Sequence, residues 1–261
     1  MSKEDSFERN CFEEESLRAI LGACGHFPKI ISYATIDSTN RVAKDMASVC
    51  RDDVIVTADS QTAGRGRMGR QFYSPDRTGA YFSILHTVSS LQQAVTVTAA
   101  ASVAVMRAIR SLTGKQTEIK WVNDLYYQEK KVCGILTESV PVDGGAGVVI
   151  GIGINLSTTD FPKELQQIAG SLETEETSAV RLIAQVYREL YPFLRDCGDR
   201  SWLEDYRAYS CVIGKRIRWG REGDWKEGKA LEIDEDAALI TITDDGVTDR
   251  LFTGEISIKM Q

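Results

Sequence analysis

The feature that most constrains this chain is a glycine- and arginine-rich segment, Gly-Arg-Gly-Arg-Met-Gly-Arg, at residues 64–70. It follows the apolar run at residues 54–58, whose β-branched side chains predict a buried strand. Glycines allow a ligand to approach the backbone closely, and arginine binds carboxylates and phosphates through planar pairs of donors. Three arginines at this spacing would repel one another without an anion between them. We therefore interpret residues 64–70, the arginine loop, as an anion-binding loop rather than as a solvated turn.

The surroundings of the arginine loop argue against two common phosphate-binding folds. Gly64, Gly66 and Gly69 have the spacing of the dinucleotide fingerprint, which requires a helix to begin at its last glycine. Here residues 70–75, Arg-Gln-Phe-Tyr-Ser-Pro, show no helical periodicity and end in proline. The Gly-Lys-Ser/Thr sequence of a P-loop is absent as well. The sequence therefore indicates neither a Rossmann fold nor a P-loop.

The hydrophobic patterns predict an α+β protein, with a mixed, largely antiparallel sheet packed with helices and a small C-terminal β unit. The predicted helices lie at residues 13–21, from 39 onward, and at 91–112, 177–196 and 200–209. Besides residues 54–58, strands are predicted at 30–36, 80–85, 117–120, 125–127, 131–140 and 148–155. Short strands separated by glycine and aspartate turns suggest a C-terminal SH3-like barrel, at 212–217, 229–233, 238–242 and 255–258. We expect a short appendage at 1–29, a main domain at 30–210 and a C-terminal domain at 211–261.

Two short segments of the main domain are candidates for contact with a ligand. Residues 37–40, Asp-Ser-Thr-Asn, are typical of a helix N-terminus, and we expect their side chains to cap the helix that follows. In the strand at 148–155, alternation places Gly151 and Gly153 on one face and aliphatic residues on the other. A bare strand face marks the close approach of a ligand or of another backbone. We favour a ligand; close helix packing and a subunit contact are the alternatives.

Composition argues against several functional classes. The net charge of −7 disfavours non-specific binding of nucleic acid. The six cysteines form no Cys-x-x-Cys pair, which predicts neither a zinc ribbon nor a disulfide framework and fits reduced thiols. No stretch is apolar enough to span a membrane, and the acidic N-terminus does not resemble a signal peptide. We therefore expect a cytoplasmic protein without membrane contact.

The scarcity of histidine limits the chemistry. The chain has two histidines, His26 and His86, and neither lies beside a nucleophile motif that would indicate a Ser-His or Cys-His mechanism. A reaction that needs little acid–base catalysis fits better. Adenylation is one: a carboxylate attacks the α-phosphate of ATP, and catalysis rests on positioning and charge stabilisation. The arginine loop and Lys131 would supply the positive charge.

Four segments, in this order, resemble the motifs of the biotin protein ligase family. They are Gln-Thr-Ala-Gly-Arg-Gly-Arg-Met-Gly-Arg at 61–70, Lys-Trp-Val-Asn-Asp-Leu at 120–125, Lys-Val-Cys-Gly-Ile-Leu at 131–136 and Gly-Ile-Gly-Ile-Asn-Leu at 151–156. Val122 stands where the family has proline. The resemblance extends from about residue 30 to the C-terminus. It implies the class II synthetase-like catalytic fold of biotin and lipoate ligases.

The resemblance also implies a reaction and a set of site residues. Biotin and ATP would form biotinyl-5′-adenylate, with Lys131, Arg65 and Arg67 as the catalytic residues. Biotin would be bound by Ser38, Thr39, Asn40, Gln61, Arg65, Arg67, Lys131, Gly134, Gly151 and Gly153. The nucleotide would be bound by Arg67, Arg70, Trp121, Asn123, Lys131 and Asn155. Asn123 would also help to hold Mg²⁺, and residues 161–172 resemble the adenylate-binding loop, with Gly170 in place of the usual threonine.

The implied partner is the biotin carboxyl carrier protein domain of acetyl-CoA carboxylase or a related carboxylase, whose lysine would accept the biotin. A homodimer through the sheet is also possible in this family. Some members carry an N-terminal winged helix and act as repressors, but residues 1–29 are short, with six acidic and four basic residues, so we expect no specific DNA binding. Two alternatives stay open: a lipoate or octanoate ligase or transferase of the same fold, and a biotin-sensing regulator without enzymatic activity.

Overall fold

The chain folds as a mixed α+β protein with two separate sheets. The computed structural model describes residues 9–50, 52–88, 93–142, 145–174, 176–196, 198–221 and 224–258. The helices are α1 (Cys11–Gly22), α2 (Thr39–Met46), α3 (Gln93–Thr113), α4 (Ala179–Arg195) and α5 (Leu203–Ala208). The first seven strands are β1 (Lys29–Ile36), β2 (Val54–Gln61), β3 (Gly79–Val88), β4 (Glu118–Lys120), β5 (Asp124–Tyr127), β6 (Lys130–Val142) and β7 (Gly145–Asn155). The last five are β8 (Arg216–Arg221), β9 (Asp224–Ile233), β10 (Leu239–Thr243), β11 (Thr248–Leu251) and β12 (Glu255–Ile258).

The main sheet has seven strands in the order β1-β2-β3-β7-β6-β5-β4. Within it β1 and β2 pair in parallel, and every other neighbouring pair is antiparallel. In the central pair of β6 and β7, Gly134 lies opposite Gly153, and Leu136 lies opposite Gly151. The prediction of a mixed, largely antiparallel sheet packed with helices is therefore confirmed.

Alternation along β7 sends its side chains to two different cores. The even-numbered residues from 148 to 154 join a large core with α3 and α4. Val149 faces the other way and joins a smaller core with α2, and Gly151 and Gly153 continue that second face toward the end of the strand. Helix α3 is rich in alanine and valine but also carries Arg107 and Arg110. No helix among the described residues is long and apolar enough to cross a membrane.

The C-terminal sheet has five antiparallel strands in the order β11-β10-β9-β8-β12. Its first strand begins at Arg216, later than predicted, because residues 212–215 form a turn in which Gly214 has a φ of 80°. Strand β11 was not predicted, since its sequence Thr-Asp-Arg-Leu lacks an apolar run. The Trp121 indole nitrogen donates to the Ala237 carbonyl oxygen over 3.0 Å, which joins the two sheets.

The prediction that side chains of residues 37–40 cap α2 is wrong. Ser38 occupies the N-cap position, but its side chain makes no capping hydrogen bond. Asp37 instead accepts the Ser38 backbone N–H at 2.6 Å and pairs with Arg41. The side chains at the helix start are therefore turned toward the sheet. The predicted beginning of α3 at residue 91 and part of the turn before β7 lie outside the described residues.

Helix α1 packs on the main sheet through both apolar and polar contacts. Leu17 and Leu21 are fully buried. Glu13 is 7% exposed and accepts a hydrogen bond from Ser32 Oγ at 3.0 Å. Burial, and then the charge of Asp59, raises the pKa of Glu13 to about 7. The Glu13 carboxyl therefore takes up a proton on folding at a pH below 7.

We expect Glu13→Gln to stabilise the protein at alkaline pH and not at pH 4.5. Because the folded-state pKa is raised, Glu13 is protonated in the folded state and ionised in the unfolded state between about pH 4.5 and 7. Stability from this group is therefore lost as the pH rises through that window. At pH 8 the glutamine variant should gain about 1–3 kcal/mol in free energy of unfolding. Urea unfolding at both pH values measures the gain, and equal effects at both would contradict this assignment.

Candidate functional site

A cavity of about 360 Å³ opens between the two sheets. Its walls come from the arginine loop, the turn before β5, the start of β6, the loop after β7 and the turn before β12. Among the residues predicted for the site, those that line it are Arg65, Arg67, Arg70, Trp121, Asn123, Lys131, Gly134 and Asn155. The fold thus brings together side chains from four separate sequence motifs.

The arginine loop is a short ordered turn. Residues Arg67–Gly69 form one turn of 3₁₀ helix, and the Gly66 backbone N–H donates to the Arg70 carbonyl oxygen over 2.7 Å. Met68 at the tip has a φ of 56° and is 64% exposed. A non-glycine residue in the left-handed region is uncommon and strained. The tip of the loop is therefore held in a conformation that its own sequence does not favour.

Arg67 connects the main sheet to the C-terminal sheet. Its guanidinium donates to Asn123 Oδ1 over 2.9 Å, and to Thr253 Oγ1 and the Gly254 carbonyl oxygen over 3.1 Å each. Burial lowers the pKa of Arg67, and the charge of Asp124 opposes that shift. An arginine stays charged at neutral pH in spite of such a shift. Arg67 therefore brings a fixed positive charge to the cavity.

Lys131 supplies a second cation on the opposite wall. Its Nζ lies 2.7 Å from Asp124 Oδ1, and both side chains are mostly buried. The Lys131 backbone N–H donates to the Ile168 carbonyl oxygen over 2.9 Å, and its carbonyl accepts from the Gly170 N–H at 3.0 Å. The loop at 161–170 is therefore tied to the strand that carries Lys131.

The two asparagine side chains of the cavity differ in whether their amide oxygen is free to bind a ligand. Asn123 donates from Nδ2 to the Ile135 carbonyl oxygen over 2.7 Å, and its Oδ1 accepts from Arg67, so both ends of its amide are engaged. Asn155 donates to the Gly170 carbonyl oxygen over 2.9 Å. Its Oδ1 is buried and finds no hydrogen-bond partner among the described residues. Buried polar atoms are nearly always satisfied, so Asn155 Oδ1 is suited to a ligand that donates a hydrogen bond.

The remaining predicted polar residues form a second, buried group that does not line the cavity. Ser83 Oγ lies 2.6 Å from Asn40 Oδ1 and 2.8 Å from Thr39 Oγ1. Gln61 Oε1 accepts the Thr39 backbone N–H at 2.9 Å. Ser38 Oγ is buried and has no hydrogen-bond partner within the part of the chain that the structure describes. This group presents hydroxyl and amide atoms of the kind that bind a small polar ring.

Phe72 lies between the cavity and this polar group. A Cβ added to Gly153 would lie 2.4 Å from the Phe72 ring, and one added to Gly134 would lie 3.2 Å from it. On Gly151 a Cβ would lie 1.9 Å from Asn40 Oδ1. The bare face of β7 is thus covered by an aromatic ring and an amide, which lie directly on the backbone.

Comparison with known proteins places the chain in a family. Residues 32–155 match the Biotin/lipoate A/B protein ligase family. A bifunctional ligase/repressor BirA of Bacillus subtilis is 33% identical over 240 residues, which cover 88% of this chain and 74% of that protein. A biotin--[acetyl-CoA-carboxylase] ligase of Mycobacterium tuberculosis is 31% identical over 241 residues, with 87% and 88% covered. This chain belongs to the biotin protein ligase family.

The fold agrees with solved structures of this family. A biotin protein ligase from Aquifex aeolicus, in complex with biotin and ATP, superposes with a TM-score of 0.76 at 27% sequence identity. The match covers 90% of this chain and 100% of that one. The prediction of a ligase of the biotin protein ligase family is therefore confirmed, and the regulator without enzymatic activity is the weaker interpretation.

Four residues that shape the site of this family member were not predicted: Phe72, Ser83, Asp124 and Glu138. Asp124 lies inside the motif at 120–125, and Ser83 is a small polar residue within an apolar strand, so each had a signal in the sequence. Phe72 and Glu138 had none. Their roles depend on contacts between segments that are far apart in the chain.

Two glycine substitutions should separate a site effect from a fold effect. In Gly79→Ala the new Cβ would lie 2.5 Å from the Ile154 carbonyl oxygen, which β3 and β7 hold in place. In Gly153→Ala the obstacle is the Phe72 ring, a side chain that can rotate away. We expect Gly79→Ala to lose about 1–3 kcal/mol of stability and Gly153→Ala less than about 1 kcal/mol. Thermal unfolding of both variants checks this; the reverse order would contradict the described contacts.

Proposed function

We propose that the protein joins biotin to a carrier protein in two steps, through biotinyl-5′-adenylate. The observation that carries this proposal is the cavity into which Arg65, Arg67, Lys131 and Asn155 all reach. Positively charged side chains that face one cavity can bind a carboxylate and a phosphate side by side, so that the two groups react with each other. The neighbouring polar group suits a ring with hydrogen-bonding atoms. The relative named biotin--[acetyl-CoA-carboxylase] ligase and the Aquifex structure with biotin and ATP support the choice of substrates.

In the first step a carboxylate oxygen of biotin attacks the α-phosphorus of ATP. The bond between the α-phosphorus and the bridging oxygen breaks, and pyrophosphate leaves with that oxygen. Arg65 and Arg67 would hold the carboxylate and the phosphate, and Lys131 would stabilise the charge that develops between them. Lys131 is paired with Asp124. The incoming anions would therefore replace part of the ion pair between Lys131 and Asp124. Asp124 would then keep the Lys131 ammonium directed at the α-phosphate.

In the second step the amine of the carrier lysine attacks the acyl carbon of the adenylate. The bond from that carbon to the phosphate oxygen breaks, AMP leaves, and the nitrogen loses a proton to solvent. The proposed acceptor is a biotin carboxyl carrier protein domain of acetyl-CoA carboxylase or a related carboxylase. Catalysis again relies on charge at the phosphate rather than on a histidine base.

The remaining nucleotide contacts are proposals of the same kind. Trp121 would pack near the adenine, and Arg70 and Asn155 would contact the nucleotide. Mg²⁺ would enter with the ATP phosphates, whose oxygens are typical ligands of this ion alongside waters. Asn123 Oδ1 accepts a hydrogen bond from Arg67 at 2.9 Å. It can bind a metal ion only if Arg67 turns away to the phosphate. Among the described residues there is no cluster of three or more metal-binding side chains.

The resemblance also supports proposals for the domains, the C-terminal barrel, DNA binding and the oligomeric state. We divide the chain into a catalytic domain at 30–210, with the class II synthetase-like fold, and a C-terminal domain at 211–261. The five-stranded C-terminal sheet would be an SH3-like barrel. The protein would not bind DNA specifically, and it would be free to form a homodimer through the main sheet.

Lys131→Ala should lower adenylate formation by at least about 100-fold, because it removes a charge that acts on the transition state. The matched control is Lys130→Ala, one residue away. The Lys130 ammonium binds the Gln166 carbonyl oxygen at 2.8 Å, and Lys130 does not line the cavity. It should change the rate by less than about threefold.

The test combines each variant with biotin, ATP and a carrier domain, and measures pyrophosphate release and carrier labelling. Wild-type protein should label the carrier only when both biotin and ATP are present. Normal rates in Lys131→Ala would contradict the role of Lys131. Failure of the wild type to label any carrier domain would contradict the proposed function itself.

A further inference from the structure

A chain of hydrogen bonds runs from the carboxylate of Glu138, on β6 of the main sheet, to the start of α2. Glu138 Oε2 accepts from Asn40 Nδ2 at 2.9 Å, and Glu138 Oε1 pairs with Lys44 Nζ at 2.5 Å. Asn40 Oδ1 lies 2.6 Å from Ser83 Oγ, which lies 2.8 Å from Thr39 Oγ1. We call Asn40, Ser83 and Thr39 the relay. The Asn40 and Thr39 side chains belong to the polar group beside the cavity, and Glu138 lies outside it.

The carboxylate sets the direction of every bond in this relay. An ionised carboxylate only accepts hydrogen bonds, so the Asn40 amide must turn its NH₂ to Glu138 and its oxygen to Ser83. Ser83 has one hydroxyl hydrogen and must give it to that oxygen. The Ser83 oxygen can then only accept, and the hydrogen between the two hydroxyls comes from Thr39, whose Oγ1 lies 2.8 Å from Ser83 Oγ and 3.2 Å from its other neighbouring acceptor, Gln61 Oε1. The hydrogen bonds among the three side chains of the relay therefore all run in one donor-to-acceptor direction, out of the two that are possible.

Glu138 is held in the form that this direction requires. Burial alone would raise its pKa, but the hydrogen bonds from Lys44 and Asn40 hold the pKa of Glu138 below its ordinary value. The group is therefore ionised at neutral pH. Lys44 does not touch the relay itself, so its removal should act on the relay only through the protonation of Glu138.

We propose that Glu138 is a positioning residue that selects the hydrogen-bond polarity with which the relay meets the substrate ring. This inference rests on the proposed function and concerns the same site. With Glu138 ionised, Asn40 and Thr39 expose oxygen lone pairs, and Ser38, whose hydroxyl has no partner in the described chain, supplies a donor. A cyclic urea offers two N–H donors and one carbonyl acceptor, which matches this set. A ring that offers an acceptor in place of an N–H does not.

Replacing the carboxylate by an amide removes the constraint. Glutamine at position 138 can donate to Asn40 Oδ1, so the Asn40 amide can turn its NH₂ toward Ser83. Ser83 then donates to Thr39, and the whole relay points the other way. The pocket would accept a ring acceptor almost as well as an N–H, while its shape stays the same.

The test uses a biotin analogue in which an oxygen replaces one ureido N–H, giving a cyclic carbamate. The selectivity is the ratio of kcat/KM for biotin to that for the analogue, measured by acid-dependent ATP–pyrophosphate exchange. Wild type should prefer biotin strongly, since a buried hydrogen-bonding site rejects a mismatched group. In Glu138→Gln the preference should fall by about 10-fold or more, mainly through a lower KM for the analogue, with KM for ATP unchanged.

Three further variants distinguish polarity from simple packing. The double variant Asn40→Asp, Glu138→Gln places the carboxylate one step along the relay and should restore the preference to within about threefold of wild type. Ser83→Ala interrupts the relay without touching Glu138, so it frees Thr39 but not Asn40, and it should lower the preference less than Glu138→Gln does. Lys44→Met removes a contact that helps to keep Glu138 ionised, so it should lower the preference at acidic pH and leave it within about threefold of wild type at pH 8.

The inference is overturned if Glu138→Gln or Ser83→Ala keeps the wild-type preference, or if Lys44→Met at pH 8 loses it as fully as Glu138→Gln does. It is also overturned if the double variant stays as unselective as Glu138→Gln. If wild-type protein shows no biotin-dependent exchange, the proposed function fails instead. Failure of the proposed function is therefore seen in the wild-type protein, and failure of this inference is seen in the variants.

Discussion

The site depends on the antiparallel pairing of β6 with β7. This pairing sets Gly134 opposite Gly153 and Leu136 opposite Gly151, so that one face of two central strands has a patch of three residues without side chains. Phe72 and Asn40 lie directly on that backbone. A Cβ at Gly151 would displace Asn40, and one at Gly153 would displace Phe72. The bare patch therefore fixes where the segment after the arginine loop and the start of α2 pack on the sheet. The positions of the other site residues depend on this packing.

Positive charge is concentrated at the cavity of a protein whose net charge is −7. Arg67 and Lys131 are nonetheless satisfied by the protein itself, through Asn123, Thr253 and Gly254 in one case and Asp124 in the other. Such contacts lower the cost of keeping two cations partly buried near each other. They also mean that an anionic ligand exchanges partners with the protein. The C-terminal sheet takes part in this exchange through the turn that holds Arg67.

Much of this fold could be predicted from the sequence, because its strands and helices have strong apolar periodicity. The alternation of glycine with isoleucine in β7 is an example: one face was expected to be bare, and it is. What covers that face could not be predicted, because Phe72 and Asn40 come from distant segments. The capping prediction failed for a related reason, since Gln61 and Ser83 from distant strands bind Thr39 and Asn40 at the helix start. Strand β11 was missed because its polar residues are held by pairing with β10 rather than by burial.

The central claim is that the cavity activates the carboxylate of biotin with ATP. The most direct measurement is ATP–pyrophosphate exchange by the wild-type protein without any carrier, with biotin, lipoate and octanoate as alternative acids. Biotin should support exchange, and the other two should not at the same concentration, because they lack the ring N–H groups that the polar group beside the cavity would bind. Equal exchange with lipoate or octanoate, or no exchange with biotin, would contradict the account.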